Sequence, residues 1–241
     1  TSSQLQDNSL IITGPGRSRV IRYTDIYVTD YDYDTGRTAA VFDGEGQITS
    51  GLAYADTGSG AHIYVLSGHS DQDLGEALAG MMAKEGMIVE NLNLKVEGAV
   101  PDDCDSLMLI APTADLTEAE ANLLISYLET GGRMLLLTSV RTEKMPYLDY
   151  VLSAYGVAWE DGVIIEGNSN YYVPSYSTYL LPEFISHEIT DPLIEAETMV
   201  LQPMAHGIRL LEECRSTVQI QGLTSATDQA YTQEGAQGPF I

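Results

Sequence analysis

Between Ala61 and Ser139 short apolar runs repeatedly break at a turn and give way to helical spacing, and this alternation constrains the fold more than any other feature. His62-Ile63-Tyr64-Val65-Leu66-Ser67 stops at Gly68-His69-Ser70. Ser106-Leu107-Met108-Leu109-Ile110-Ala111 stops at Pro112-Thr113. Arg133-Met134-Leu135-Leu136-Leu137-Thr138 is the third such run. Repetition of this kind predicts a parallel sheet covered by helices. Strands are expected at 62–67, 87–94, 105–111 and 133–138, with helices at 72–85 and 117–130. Runs such as Leu107 to Ala111, apolar at every position, predict burial on both sheet faces.

Local signals mark the ends of these elements. Leu74, Ala77, Leu78, Met81 and Met82 form one stripe of the 72–85 helix, and Gly86 stops it. Thr117-Glu118-Ala119-Glu120 has capping-box spacing, and Gly131-Gly132 ends the helix that follows. A helix is expected at 146–155, then one or two short strands between Val157 and Ile165. Upstream, Arg19 to Thr29 alternates like a strand, Tyr31 to Gly36 is a polar turn, and Thr38 to Phe42 is a second strand. Asp43 caps a helix running to about Ala55, which Gly44, Gly46 and Gly51 weaken. Residues 1–37 therefore read as a partial N-terminal β segment, and 38–241 as the α/β domain. Residues 167–182 are tyrosine-rich and non-periodic, which predicts a long ordered loop. Thr198 to Gln202 and Thr217 to Leu223 read as late strands, and Gln233 to Ile241 as a frayed end.

Charge narrows the partners. The chain carries 35 acidic and 11 basic residues, a net −24. Phosphate binding needs a basic footprint, so nucleic acid is not expected as a partner. No apolar run approaches the length of a membrane span, and Thr1 opens a polar segment without signal-peptide character. The expectation is a fragment of a longer protein.

The carboxyl ends of the parallel strands are where a ligand should sit, over Gly68-His69-Ser70, Pro112-Thr113 and Ser139-Val140-Arg141. His69 has the position of a general base, but no nucleophile follows a strand beside it. A loop histidine bonded to nearby backbone is the alternative. Arg141, one of few cations, either holds an anionic or polyhydroxyl group or pairs with a neighbouring carboxylate. Tyr171, Tyr172, Tyr176 and Tyr179 either stack on sugar rings or pack their loop onto the domain. Asp30, Asp32 and Asp34 are spaced as in a calcium loop, but Thr35 and Val41 occupy the required glycine and glutamate places. Gly14-Pro15-Gly16 lacks the lysine of a phosphate loop. His187 and His206 stand alone, and Cys104 and Cys214 have no metal spacing. No metal or cofactor is expected.

Several segments in order are similar to one family: Phe42 to Ser50, Ile63 to His69, Leu116 to Glu120, Tyr127 to Leu136, His187-Glu188-Ile189-Thr190-Asp191-Pro192-Leu193, and Leu223 to Ala226. Over about residues 38–232 the sequence resembles the GldG-like auxiliary subunits of ABC transporters, known from gliding motility. The resemblance implies a fold similar to class I glutamine amidotransferases without their catalytic cysteine. It also implies a non-enzymatic, extracytoplasmic domain held by membrane helices beside an ABC permease and ATPase. It supplies no established site residue.

The resulting expectation is an α/β three-layer sandwich with a mainly parallel sheet, similar to class I glutamine amidotransferase-like and flavodoxin-like folds. Its function is non-enzymatic binding or scaffolding on the extracytoplasmic face of the membrane, anchored by helices outside this fragment. The first alternative is a carbohydrate-binding domain using His69, Asp71 and the tyrosine loop; the candidate ligand-binding residues are His69, Asp71, Thr113, Arg141, Tyr171, Tyr172 and Tyr176. A degenerate hydrolase comes third.

Overall fold

The computed structural model describes residues 7–15, 17–32, 37–57, 60–69, 73–139, 143–212 and 214–234. Two antiparallel hairpins come first. β1 (Leu10–Gly14) pairs with β2 (Arg17–Ile21), and β3 (Tyr27–Asp32) pairs with β4 (Arg37–Phe42). The single strand expected from Arg19 to Thr29 is thus broken by a 3-10 turn at Tyr23–Asp25. Asp25 makes that turn by accepting the Arg22 N–H at 3.0 Å and its guanidinium at 2.8 Å.

Helix α1 (Gly44–Thr57) forms despite its glycines. A Cβ on Gly51 would lie 2.6 Å from Ile12 Cδ1, so the residue that weakens the helix also lets it lie against the first hairpin. Ile12, Ile21 and Ala55 are buried at this contact. The Asp43 carboxylate bonds Lys84 Nζ at 2.5 Å and Gln47 Nε2 at 3.2 Å.

The βα repetition appears as expected. In order come β5 (His62–Leu66), α2 (Glu76–Lys84), β6 (Ile88–Leu92), α3 (Leu94–Glu97), β7 (Ser106–Ile110), α4 (Glu118–Glu129), β8 (Met134–Leu137) and α5 (Pro146–Ser153). The four strands are all parallel, in the order β6-β5-β7-β8. Gly86, at φ +76, closes α2 as the sequence predicts. α2 starts later than expected, because Gly75 stands at φ +77 just before Glu76. β6 stops early because Asn93 accepts the Lys95 N–H at 3.1 Å and opens α3.

Side-chain alternation splits the core in two. Tyr64, Leu66, Leu107 and Leu109 pack with Leu124 of α4 and Leu148 of α5. Ile63, Val65, Met108 and Ile110 pack with Met82 of α2. β7 is therefore buried on both faces, and each such aliphatic side chain stabilises the fold by about 1.5–3 kcal/mol. At β8 the two-sided burial ends. Met134 and Leu136 face the first core, while Leu135 and Leu137 are exposed.

The remainder forms small antiparallel sheets. β9 (Val157–Trp159) pairs with β15 (Ile208–Leu210), and β10 (Val163–Ile165) with β17 (Tyr231–Gln233). The tyrosine-rich stretch is a hairpin rather than a loop: β11 (Tyr172–Val173) pairs with β12 (Tyr176–Leu180). Pro174 and Ser175 make its turn, with Ser175 at φ +74, a place where glycine or asparagine is the usual signal. β13 (Glu183–Phe184) pairs with β16 (Thr224–Ser225), and the short helix α6 (Asp191–Glu195) lies between them in sequence. The strand expected at Thr198 to Gln202 shrinks to β14 (Gln202–Pro203) on the edge of β12. Pro203 has no N–H to extend that ladder. Residues 217–223 form no strand, and Ile220 there is exposed. The architecture is thus mixed α/β, a four-stranded parallel sheet with several small antiparallel sheets.

Candidate functional site

The chain leaves β5 for β6 on one side and reaches β7 on the other, so the switch point lies at the carboxyl ends of β5 and β7. His69 and Thr113 both sit there. They meet through backbone: the His69 carbonyl accepts the Thr113 N–H at 2.7 Å and the Ala114 N–H at 3.3 Å. The His69 ring does not face a cleft. It is 4% exposed, and its Nε2 lies 3.2 Å from Glu120 Oε2. Oε1 is as near, at 3.1 Å, but only Oε2 is aligned for a hydrogen bond.

Glu120 is the third residue of the capping box that opens α4. Its Oε2 accepts the Thr117 N–H at 2.8 Å and the Thr117 hydroxyl at 2.6 Å. Burial pushes this carboxyl up. The Thr117 hydroxyl and N–H, together with His69 and Lys95, outweigh burial and hold it below the usual carboxylate range. The pair thus resembles a base and its orienting carboxylate, but it is closed off from solvent.

The next residue along the switch point is Ala111, 6% exposed and at φ +42. A strained residue directly after a strand is the geometry of a nucleophile elbow. Here that position holds a methyl group. The Ala111 N–H donates to the Leu137 carbonyl at 2.7 Å, which ties the β7 loop to the end of β8. His206 Nε2 in turn bonds the Ser139 carbonyl.

The other expected site residues are dispersed. Asp71 and Arg141 lie outside the described residues, as do Ser70 and Val140. Tyr171 donates its hydroxyl to Glu183 at 2.7 Å, and that bond raises its pKa. Tyr172 is half-buried in β11. Tyr176 is exposed, its ring 5.3 Å from that of Tyr179. His187 accepts the Ile189 N–H and helps shape its own turn.

A second polar cluster lies at the opposite, amino end of the sheet. Asp103 bonds His62 Nδ1 at 2.8 Å and accepts the Tyr64 hydroxyl at 3.1 Å. Burial, then Asp103, pushes the Tyr64 phenol up to about 12. Cys104, beside it, lies 3.5 Å from the Tyr127 hydroxyl, and burial pushes its thiol up. A thiol shifted upward is a poor nucleophile at neutral pH. Cys104 and Cys214 are free rather than paired. Among the described residues no group of three or more His, Cys, Asp or Glu is placed to hold a metal ion.

A cleft of about 670 Å³ opens beyond the carboxyl end of β8, against the small antiparallel sheets. Leu137, Trp159, Ile164, Leu201, Met204 and His206 are among its walls. The sequence gives no periodic signal for it, since its walls come from segments far apart along the chain. Glu120 was likewise legible only as a cap. Its contact with His69, 51 residues away, depends on the tertiary fold.

The sequence profile of a family described as an ABC-type uncharacterized transport system, auxiliary component, matches residues 61–184, just over half of the chain. The chain belongs to this family. The stretch of this ABC-transport auxiliary chain that matches starts just before β5 and ends with β13. It contains the whole parallel sheet and the tyrosine hairpin, and its family associates with an ABC-type transport system. The fold is also similar to the solved mmIFT52 N-terminal domain, with a TM-score of 0.50 and 14% identity over 70% of this chain and 74% of that one. At that identity the likeness concerns fold alone. No curated protein matches the sequence. Among the described residues no helix is long and apolar enough to cross a membrane.

Proposed function

We propose that this auxiliary chain is a GldG-like, non-enzymatic scaffold on the extracytoplasmic face of the membrane, in contact with the permease and ATPase of its transporter. Its helices on both faces of the parallel sheet make a three-layer unit of the amidotransferase-like or flavodoxin-like kind. Family membership supports the transport role. The observation that carries the non-enzymatic reading is the switch point. Ala111 holds the strained place of a nucleophile, and the Thr113 N–H occupies the His69 carbonyl where a substrate would approach.

Two measurements test this. A tagged chain, crosslinked in cells that express the whole transporter, should co-purify with the permease and ATPase. Recovery of the ATPase-free and permease-free chain alone would refute the scaffold. Cys214 is exposed, so a membrane-impermeant maleimide should label it in intact spheroplasts. Labelling only after lysis would refute the extracytoplasmic location.

A further inference from the structure

A groove of about 410 Å³ lies between the β13 segment and the end of α6. Leu181, Pro182 and Phe184 supply apolar walls from the first, and Ile194 and Met199 from the second. The walls from α6 are uncovered: Ile194 is 42% exposed and Met199 76%. Large apolar side chains left open around a concave surface mark a contact site. Two exposed carboxylates, Glu183 and Glu197, belong to the same lining. Among the described residues neither is in an ion pair. From Met145 to Ile208 the chain carries Asp and Glu but no Lys or Arg. Glu197 also stands at φ +51, directly after Ala196, the last cap of α6. Its N–H donates to the Ile194 carbonyl at 3.1 Å, and the Thr198 N–H donates to the Leu193 carbonyl at 2.9 Å. These are the two bonds of a helix-ending turn that favours glycine at this place. The chain instead accepts backbone strain and sets a carboxylate at the groove.

We propose that this groove docks a segment of a partner protein in which apolar side chains are flanked by Lys or Arg. The apolar walls call for an aliphatic or aromatic anchor. The carboxylates without an ion pair call for cations beside that anchor. A small molecule fits less well, because ligand sites bury most of their ligand and walls this exposed cannot enclose one. A second copy would bring one chain of net charge −24 against another. An anionic lipid surface meets the same repulsion. The inference concerns this groove alone and does not rest on the scaffold reading.

The chain is titrated into fluorescein-labelled heptapeptides that carry Leu, Met or Phe at the three central places and Lys at the outer ones, and polarisation is read. At least one combination should bind saturably. Its counterparts with Ser at the central places, or Glu at the outer ones, should bind at least about tenfold more weakly. The double variant Ile194→Ser, Met199→Ser changes only exposed walls, so it should weaken binding at least about tenfold while melting as wild type does. Glu197→Gly separates binding from folding. It should melt no lower than wild type, because glycine adopts the positive φ freely, and still bind at least about threefold more weakly. Glu118→Gln removes the same charge at an exposed place outside the groove and should bind as wild type. The proposal is overturned if no peptide binds saturably, if the Ser-centred peptides bind equally, or if binding is undiminished in both the double variant and Glu197→Gly. Dimerisation, or flotation with phosphatidylcholine vesicles, that is lost in the double variant would also overturn it, by giving the groove another occupant.

Discussion

Glu120→Ala tests the buried pair most directly. The carboxylate accepts the N–H and hydroxyl of Thr117 and faces the His69 ring, with both side chains 2% exposed. Loss of the bonds the carboxylate accepts from Thr117, with the Thr117 hydroxyl still capping the residue-120 N–H, costs about 0.5–1.5 kcal/mol. Leaving the buried His69 nitrogen without its partner costs about 1–3 kcal/mol more. Allowing for overlap, the variant should lose about 2–4 kcal/mol. For a chain of this length that lowers the melting temperature by roughly 5–15 °C. Urea unfolding followed by circular dichroism reads the change as a lower midpoint with an unchanged slope. Glu120→Gln keeps an acceptor for Thr117 and should lose less. A double-mutant cycle with His69→Ala should give a coupling of about 0.5–3 kcal/mol. A Glu120→Ala midpoint indistinguishable from wild type, or strict additivity with His69→Ala, would refute the pairing as an energetic feature.

Further outcomes follow from the same structure. Glu120 and Glu166 are both held low; at Glu166, burial is outweighed by the Thr227 hydroxyl and by N–H groups of Asn168 and Thr227. The folded state therefore binds fewer protons than the unfolded chain at these sites. Their stabilisation is complete above the unfolded value of about pH 4.3 and is lost as pH falls through the folded values, so the urea midpoint should drop there, and less so in Glu166→Gln. Leu109→Ala, at a side chain 0% exposed, should cost about 2–5 kcal/mol in urea unfolding, whereas Leu135→Ala, 47% exposed, should cost under about 1 kcal/mol. Maleimide at pH 7 should modify exposed Cys214 first and Cys104 only slowly until urea unfolds the chain, as read by mass spectrometry; equal native rates would contradict the burial and raised thiol of Cys104.

What the sequence disclosed was the part of the fold governed by local rules. The apolar runs around Val65, Met108 and Leu136 gave the strands, and the Thr117–Glu120 spacing gave the cap of α4, because each signal is contained within a few residues. The tyrosine hairpin was missed because Ser175 takes a positive φ that the neighbouring pattern does not announce. Residues 217–223 read as a strand, but among the described residues their one ladder bond is the Ile185 N–H to the Leu223 carbonyl at its end, and Ile220 stays exposed. His69 was placed at the correct strand end. The direction of its ring was not legible, since it depends on a helix that arrives 51 residues later. Ala111 reads in the sequence only as the end of an apolar run, because a φ of +42 at an alanine is visible only as backbone geometry.

The loops at the switch point are joined by main-chain atoms: the Thr113 and Ala114 amides on the His69 carbonyl, and the Ala111 amide on the Leu137 carbonyl. Main-chain contacts are indifferent to the side chains that project from them. The exposed side chain of Ala114 can therefore be exchanged for others while the ledge beneath it keeps its contour. A surface of this construction can acquire new surface chemistry without being reshaped, a property that suits the scaffold role proposed above.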